Sequence, residues 1–278
     1  MPQKISKPKE ALKHAIVIFV LLFSFFPFYL MFTISLKNNT QFNNNPFFPD
    51  PPSAWHFENW LEGWNTVYMY IANSIVVSFG AVILCLVFAI LTAYVIARYR
   101  FPGRNIVYYG LLATMFLPGT PATLITLFTL LKEGGMVNKL YTLILVGATG
   151  GQVVCVFILR QFIEDIPKEL FEAAQIDGAG HISQIWNIVL PMSGSVLTTL
   201  AIMQFIGNWN NLMLPLIIMR DNQLLTIPVG LLRLDGEYVK LWGPLMAGYA
   251  ISSIPLVLLF LFTMKLFVKG LAAGAVKG

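Results

Sequence analysis

Six stretches of this chain contain no Asp, Glu, Lys, Arg or His, and each is long enough to cross a lipid bilayer: residues 15–36, 71–97, 106–131, 140–159, 192–219 and 243–264. About 20 residues rising 1.5 Å each cover the roughly 30 Å of hydrocarbon. A charge at the middle of such a span costs about 2.5–3.5 kcal/mol, so the absence of charge from all six is a physical signature. A lipid-facing chain must satisfy its own backbone polar groups, which a helix does locally. The fold class expected is therefore an all-α membrane protein with six transmembrane helices. Composition agrees: 57% of the 278 residues are hydrophobic and 11% are charged, against about a quarter charged in soluble domains. That balance leaves too few charges to coat a soluble enzyme or a nucleic-acid binder, and it excludes disorder, which needs low hydrophobicity. The first stretch exceeds a signal-peptide core and lacks a small-residue cleavage pattern, so it stays a span. Cys85 and Cys155 both sit in apolar runs, with neither a disulfide framework nor a metal spacing, and read as small buried hydrophobes.

Basic residues orient the spans. One set of connecting segments carries twelve Lys and Arg: Lys4, Lys7, Lys9 and Lys13; Arg98, Arg100 and Arg104; Arg160 and Lys168; Lys265, Lys269 and Lys277. The other carries six: Lys37, Lys132, Lys139, Arg220, Arg233 and Lys240. The richer side faces the cytoplasm, which makes residues 1–14 and 265–278 cytoplasmic tails around a membrane domain at 15–264. Residues 38–70 form an external loop rich in Asn and Pro, with Trp55, Trp60 and Trp64 suited to the membrane–water boundary. Residues 99–105 make a tight cytoplasmic turn at Pro102-Gly103, and residues 221–242 an external loop.

Residues 160–191 are the informative connection. They are cytoplasmic by the charge rule and hold Glu164, Asp165, Glu169, Glu172 and Asp177. Pro167 suits a first helical position and Gly178 the residue after a helix end, which predicts a helix of about three turns over 168–177. Leu170, Ala173, Ala174 and Asp177 fall at i, i+3, i+4 and i+7 and share a face. A second apolar stretch, 182–190, ends at Pro191. By periodicity alone, an amphipathic helix lying on the inner membrane surface fits equally.

At these residues the chain resembles a known family. Glu172-Ala173-Ala174, then Gly178, Ile188 and Leu190-Pro191 match the EAA signature of ABC-importer permeases, and Asp177-Gly178-Ala179 resembles the maltose-type, carbohydrate-uptake branch. Asn73-Ser74, residues 98–103, Trp209-Asn210 and residues 270–278 also look like that family. Ser195 departs from it, standing where many relatives have a second proline. The resemblance implies a type I ABC importer permease fold in a prokaryotic inner membrane. It implies a coupling helix at 168–177 docked on a separate ABC ATPase dimer, through Leu170, Phe171, Glu172, Ala173, Ala174, Asp177 and Gly178. The implied partners are a second homologous permease, that ATPase pair and an extracellular or periplasmic solute-binding protein, with a carbohydrate as cargo, membrane lipid around it and no nucleic acid.

The chain itself carries no phosphate-binding Gly-x-x-x-x-Gly-Lys-Ser/Thr pattern. No cofactor is therefore expected on it, ATP and magnesium belonging to the partner ATPase, and no catalytic or metal-binding residue is expected either. No span holds the carboxylate or histidine that ion-coupled carriers place at mid-membrane. Uncharged spans suit a neutral, hydroxyl-rich solute better than a charged one. Gln152, Gln204, Asn208, Trp209, Asn210 and Asn211 offer amides and an aromatic face along the path of a sugar, although such residues also serve hydrogen bonding between helices. Asn208 and Asn211 share a helix face and Asn210 points elsewhere; the Trp-Asn pair of the family favours Asn210. Pro118, Pro121, Pro215 and Pro255 are expected to kink or break their helices, with Gly119 and Pro121 marking the break of the third span. A permease for a different polar solute, or a membrane scaffold that transports nothing, are the competing readings.

Overall fold

The computed structural model describes residues 7–117, 121–235 and 241–275, and no strand occurs among them. Helix α1 (Lys7–Ser35) and the short α2 (Asn39–Asn44) precede a 3-10 turn (Pro52–Ala54) and the long α3 (Glu58–Arg98). Next come α4 (Arg104–Thr114), α5 (Pro121–Glu133), α6 (Leu140–Thr149) and α7 (Gln152–Asp165). After α8 (Lys168–Ile176), α9 (His181–Gln184) continues through a π-helical turn (Ile185–Val189) into α10 (Leu190–Met192). The order closes with α11 (Gly194–Trp209), α12 (Met213–Ile218), a 3-10 turn (Asn222–Leu224), α13 (Ile227–Asp235) and α14 (Trp242–Ala275).

Three helices are long and apolar enough to cross a bilayer alone, over Leu12–Ser35, Glu58–Arg98 and Trp242–Met264. Two more spans are bent pairs: α6 and α7 meet at 48°, and His181–Met192 meets Gly194–Ile218 at 83°. The expected third span is divided between α4 and α5. At 11 and 13 residues these helices extend only about 17 and 20 Å, so neither crosses by itself. Of the two residues at which that break was expected, Pro121 opens α5, and Gly119 lies outside the described residues, as does Pro118.

Other boundaries move. Helix α3 begins thirteen residues before the expected start at 71 and takes in Trp60 and Trp64. Helix α14 runs unbroken through Pro255 to Ala275, well past the expected boundary at 264. The fifth span breaks at residues 210–212, ahead of Pro215 rather than at it. The fourth breaks at Gly150-Gly151, where Gly151 has φ +74°.

The helices divide into two compact units, Met1–Tyr68 with Leu231–Ile254, and Met69–Gly230 with Pro255–Gly278. In the first unit, α1 leaves Phe19, Phe23, Phe25 and their neighbours exposed, the surface a lipid solvent requires. Its carboxyl end is held instead by polar contacts. Asn59 Nδ2 donates to the Ser35 and Lys37 carbonyls at 2.9 and 3.0 Å, which satisfies acceptors that a helix end leaves open. Buried Lys37 pairs with Asp50 at 2.5 Å, and Trp55 Nε1 donates to the Asp50 carbonyl. Phe42 stacks on Trp242 with ring centroids 4.6 Å apart.

The core of the second unit forms where α3 presents Cys85, Ala89 and Ala93, all fully buried, at i, i+4 and i+8. Small side chains on that stripe let helices approach closely, and Cys155, Leu159 and Ile163 of α7 pack in the same cluster. A second cluster joins Val77, Leu143, Leu214, Ile218 and Val229. Asn73 Nδ2 donates to the Gln223 and Leu225 carbonyls, and Ser74 Oγ accepts from the Ile227 N–H.

Gly243 tests the packing of the first unit, because a Cβ there would overlap both the Asn59 amide and the Lys37 carbonyl. Gly243→Ala should lower stability by about 1–3 kcal/mol, read as an earlier thermal transition of the purified protein. An unchanged transition would mean that the α1 terminus is not held as described.

Candidate functional site

Helix α8 is short, nine residues, too short to persist alone in water. Tertiary contacts fix it. Phe171 is 1% exposed and lies in the second unit's core, with its ring beneath the Arg98 guanidinium at 3.8 Å and beside Tyr94. The helix ends in a Schellman motif: Ala179 N–H bonds the Ala174 carbonyl and Gly178 N–H the Gln175 carbonyl. Gly178 takes φ +78°, with open space where a Cβ would stand. The demand for glycine there is conformational, not steric.

The ring of Phe171 sets the rotation of α8 and revises the expected interface. Phe171 faces its own bundle, so it is not part of an outward docking surface. Ala174, one turn on, is half-buried on the same side. Leu170, Glu172, Ala173, Asp177 and Gly178 are exposed. At 100° per residue, the outward face centres on Glu169, Ala173 and Ile176, not on the expected row through Ala174. Ile176 is 87% exposed, and the spacing argument missed it. Its distance of five residues from Phe171 was the available signal. Pro167 sits one position before the helix, with extended backbone.

The chain leaving α8 is fastened to α3. Tyr94 hydroxyl donates to Gln184 Oε1 at 2.8 Å, and Gln184 Nε2 donates to the Ala179 carbonyl at 3.2 Å. Tyr99 hydrogen-bonds with the His181 ring. Before α8, Glu164 accepts from Arg104 and Arg160 at 2.8 and 2.7 Å, and Arg160 lies over Tyr108. Both ends of α8 are therefore joined to transmembrane helices by buried or half-buried contacts, which suits it to pass displacement on.

A cavity of about 500 Å³ lies in the second unit, against the breaks of the fourth and fifth spans. Gln204, Asn208 and Asn211 line it together with Gly147, Gly150 and Gly151. Three other expected path residues are elsewhere. Trp209 is buried, stacked on Phe205 at 5.4 Å. Asn210 is exposed, off the cavity, and caps α11 through its N–H. Gln152 is half-buried between helices, its amide fitted to donate to the Ala148 carbonyl and accept from the Ala89 N–H. Within α11, Gln204 and Asn208 are one turn apart and share a stripe, while Trp209 turns about 100° beyond Asn208; past the helix end the chain turns, with the Asn211 N–H bonded to the Asn208 carbonyl, and this brings Asn211 back to the cavity. The glycine break in the fourth span went unremarked, although Gly150-Gly151 in an apolar run is a breaker signal.

Residues 5–273 match the family described as "Binding-protein-dependent transport system inner membrane component". The chain is 31% identical over 264 residues to the arabinooligosaccharides transport system permease protein AraQ of Halalkalibacterium halodurans, covering 94% of each. It is 32% identical to the melibiose/raffinose/stachyose import permease protein MelC of Bacillus subtilis, covering 91% of this chain and 92% of that one. Among solved structures, a chain of a bacterial ABC transporter involved in import of the acidic polysaccharide alginate superimposes with a TM-score of 0.77 at 17% identity, covering 94% of this chain and 98% of that one. That likeness is one of fold.

Phe171→Ala should release α8 from its bundle, since truncating a buried phenylalanine costs about 3–5 kcal/mol. Trypsin cleavage at Lys168 in the purified protein should accelerate strongly, while Ile176→Ser, on the outward face, leaves it at the wild-type rate. Equal rates in all three proteins would refute the burial-defined orientation of α8.

Proposed function

We propose that this chain, which belongs to the family of binding-protein-dependent transport system inner membrane components, is the permease subunit through which a type I ABC importer passes a neutral sugar or oligosaccharide into the cell. The observation that carries the reading is α8: a short helix between the fourth and fifth spans, rooted by Phe171 and presenting Glu169, Ala173 and Ile176 outward. The relatives named for arabinooligosaccharide and melibiose/raffinose/stachyose transport support a carbohydrate cargo. So does a cavity whose polar lining is amide, peptide and the Thr149 hydroxyl, without an ionisable group.

In this reading both termini and α8 are cytoplasmic. The ATPase is a separate pair of chains, and nucleotide with magnesium is held there. A second, homologous permease completes the pore, and an external solute-binding protein delivers the sugar. Leu170, Glu172, Ala173, Ala174, Asp177 and Gly178 would form or frame the docking surface, with Phe171 transmitting its motion inward. Closure of the ATPase pair moves α8, and its attachments to α3 and α7 convert that movement into a hinge motion of the spans. Gln204, Asn208 and Asn211 would exchange hydrogen bonds with sugar hydroxyls, each of which both donates and accepts.

Glu172→Lys reverses a charge on the exposed face and should cut sugar uptake below about a tenth of wild type, since bringing like charges together at an interface costs several kcal/mol. Membrane levels of the protein should not change; normal uptake at normal levels would remove α8 as the coupling element. A single cysteine at Asn44 should label with an impermeant maleimide in intact cells, and one at Ser183 should not. Labelling at Ser183 would invert the orientation. On the cavity side, Asn208→Ala and Asn211→Ala should raise the KM for uptake, with Asn210→Ala close to wild type. The reverse pattern would move the sugar path to the other face of α11.

A further inference from the structure

The break in the fourth span leaves a peptide group to account for. Gly150 follows the end of α6, and α7 begins at Gln152, where the Cys155 N–H bonds the Gly151 carbonyl. The Gly150 carbonyl is taken instead by Gln204 Nε2 of α11, at 2.7 Å. The same nitrogen lies 3.2 Å from Cys85 Sγ and 3.5 Å from Cys155 Sγ, and those two sulfurs are 4.0 Å apart. One side chain of the fifth span thus ties the fourth at its break and touches the second. The seat is close-fitting: a Cβ on Gly151 would come within 2.5 Å of Gln204 Nε2, and one on Gly147 would overlap the Asn208 amide. Among the described residues Gln204 Oε1 and Asn208 Oδ1 accept no hydrogen bond, and both residues line the cavity.

We infer that Gln204 is the latch of this cavity: it holds the bend between α6 and α7 by occupying the Gly150 carbonyl, and a solute hydroxyl that takes over that carbonyl releases α7. This rests on the sugar-permease reading above. A hydroxyl can donate to the carbonyl and accept from the displaced amide at once, so the exchange leaves neither polar group unpaired. An apolar solute can do neither. The two helices joined by the latch, α7 and α11, are also the two between which the chain passes through α8. Occupancy of the cavity and the position of α8 therefore share one hydrogen bond. Gln204 is a positioning residue in this scheme.

The test uses the whole complex in nanodiscs, without solute or binding protein. Gln204→Leu removes the donor at similar volume. It should raise basal ATP hydrolysis about two- to tenfold, the weight of one net hydrogen bond, and speed hydrogen exchange in the peptide covering 147–156. Ile206→Ala, on α11 but away from the cavity, should leave both at wild type. A contact that served packing alone would lower hydrolysis when lost, not raise it. Unchanged exchange in Gln204→Leu overturns the latch; so does faster exchange with unchanged or reduced hydrolysis. Co-purification of the wild-type chain with an ATPase pair is scored first. Its failure strikes the permease reading, whereas exchange at 147–156, measured on the chain in its native membrane, still decides whether Gln204 holds the break.

Discussion

A peptide group in hydrocarbon has no water to bond, and the rest of this structure follows from that. Unbroken helices meet the requirement for free; the places where helices stop do not. Where helices stop, inside the bilayer or at its surface, the chain repeatedly uses the side-chain amide of Asn or Gln. Asn59 covers the carbonyls that end α1, and Asn73 covers those at 223 and 225. Asn138 Oδ1 accepts from the Arg220 and Asp221 N–H groups. Gln184 covers Ala179 after α8, and Gln204 covers Gly150 at the bend of the fourth span. An amide bonds a peptide group as another peptide group would, with no charge to desolvate.

This economy bears on how a permease can move. A span without breaks behaves as a rod, whereas one broken at glycines and closed by a side chain from a neighbour has two arrangements, depending on what the side chain holds. Breaks in the fourth and fifth spans face the same cavity, and the segment between those spans carries α8. The cavity and α8 thereby lie on adjoining lengths of chain. The anchor at the other end is apolar: Phe171 buries its ring below Arg98, so α8 cannot turn without moving α3.

How far the site was legible varies residue by residue. Gly178 was readable because a left-handed turn demands glycine whatever surrounds it, and its φ of +78° agrees. The inward direction of Phe171 was not legible, because helix spacing fixes which residues share a face but not which face turns inward; the ring's partners, Tyr94 and Arg98, come from a helix some 75 residues earlier. The same limit applies at the end of α11, where Asn208 and Asn211 were grouped on one side but neither the side that meets the cavity nor the helix end at Trp209 was legible. Cys85 and Cys155, unremarkable in separate apolar runs, meet only because α3 and α7 pack on a stripe of alanines.

The sequence by itself determined the solvent, the apolar spans and the short helix between the fourth and fifth of them, because a bilayer acts on each span separately through its charge and length. Signature residues over 172–191 determined the family, since they sit at fixed local spacing. Only the tertiary structure decided where the fourth and fifth spans break, which amide closes each break, and that Gln204 rather than Gln152 reaches the cavity. Those outcomes depend on contacts between helices distant in sequence, and no local period encodes which of several equivalent amides will find a given carbonyl.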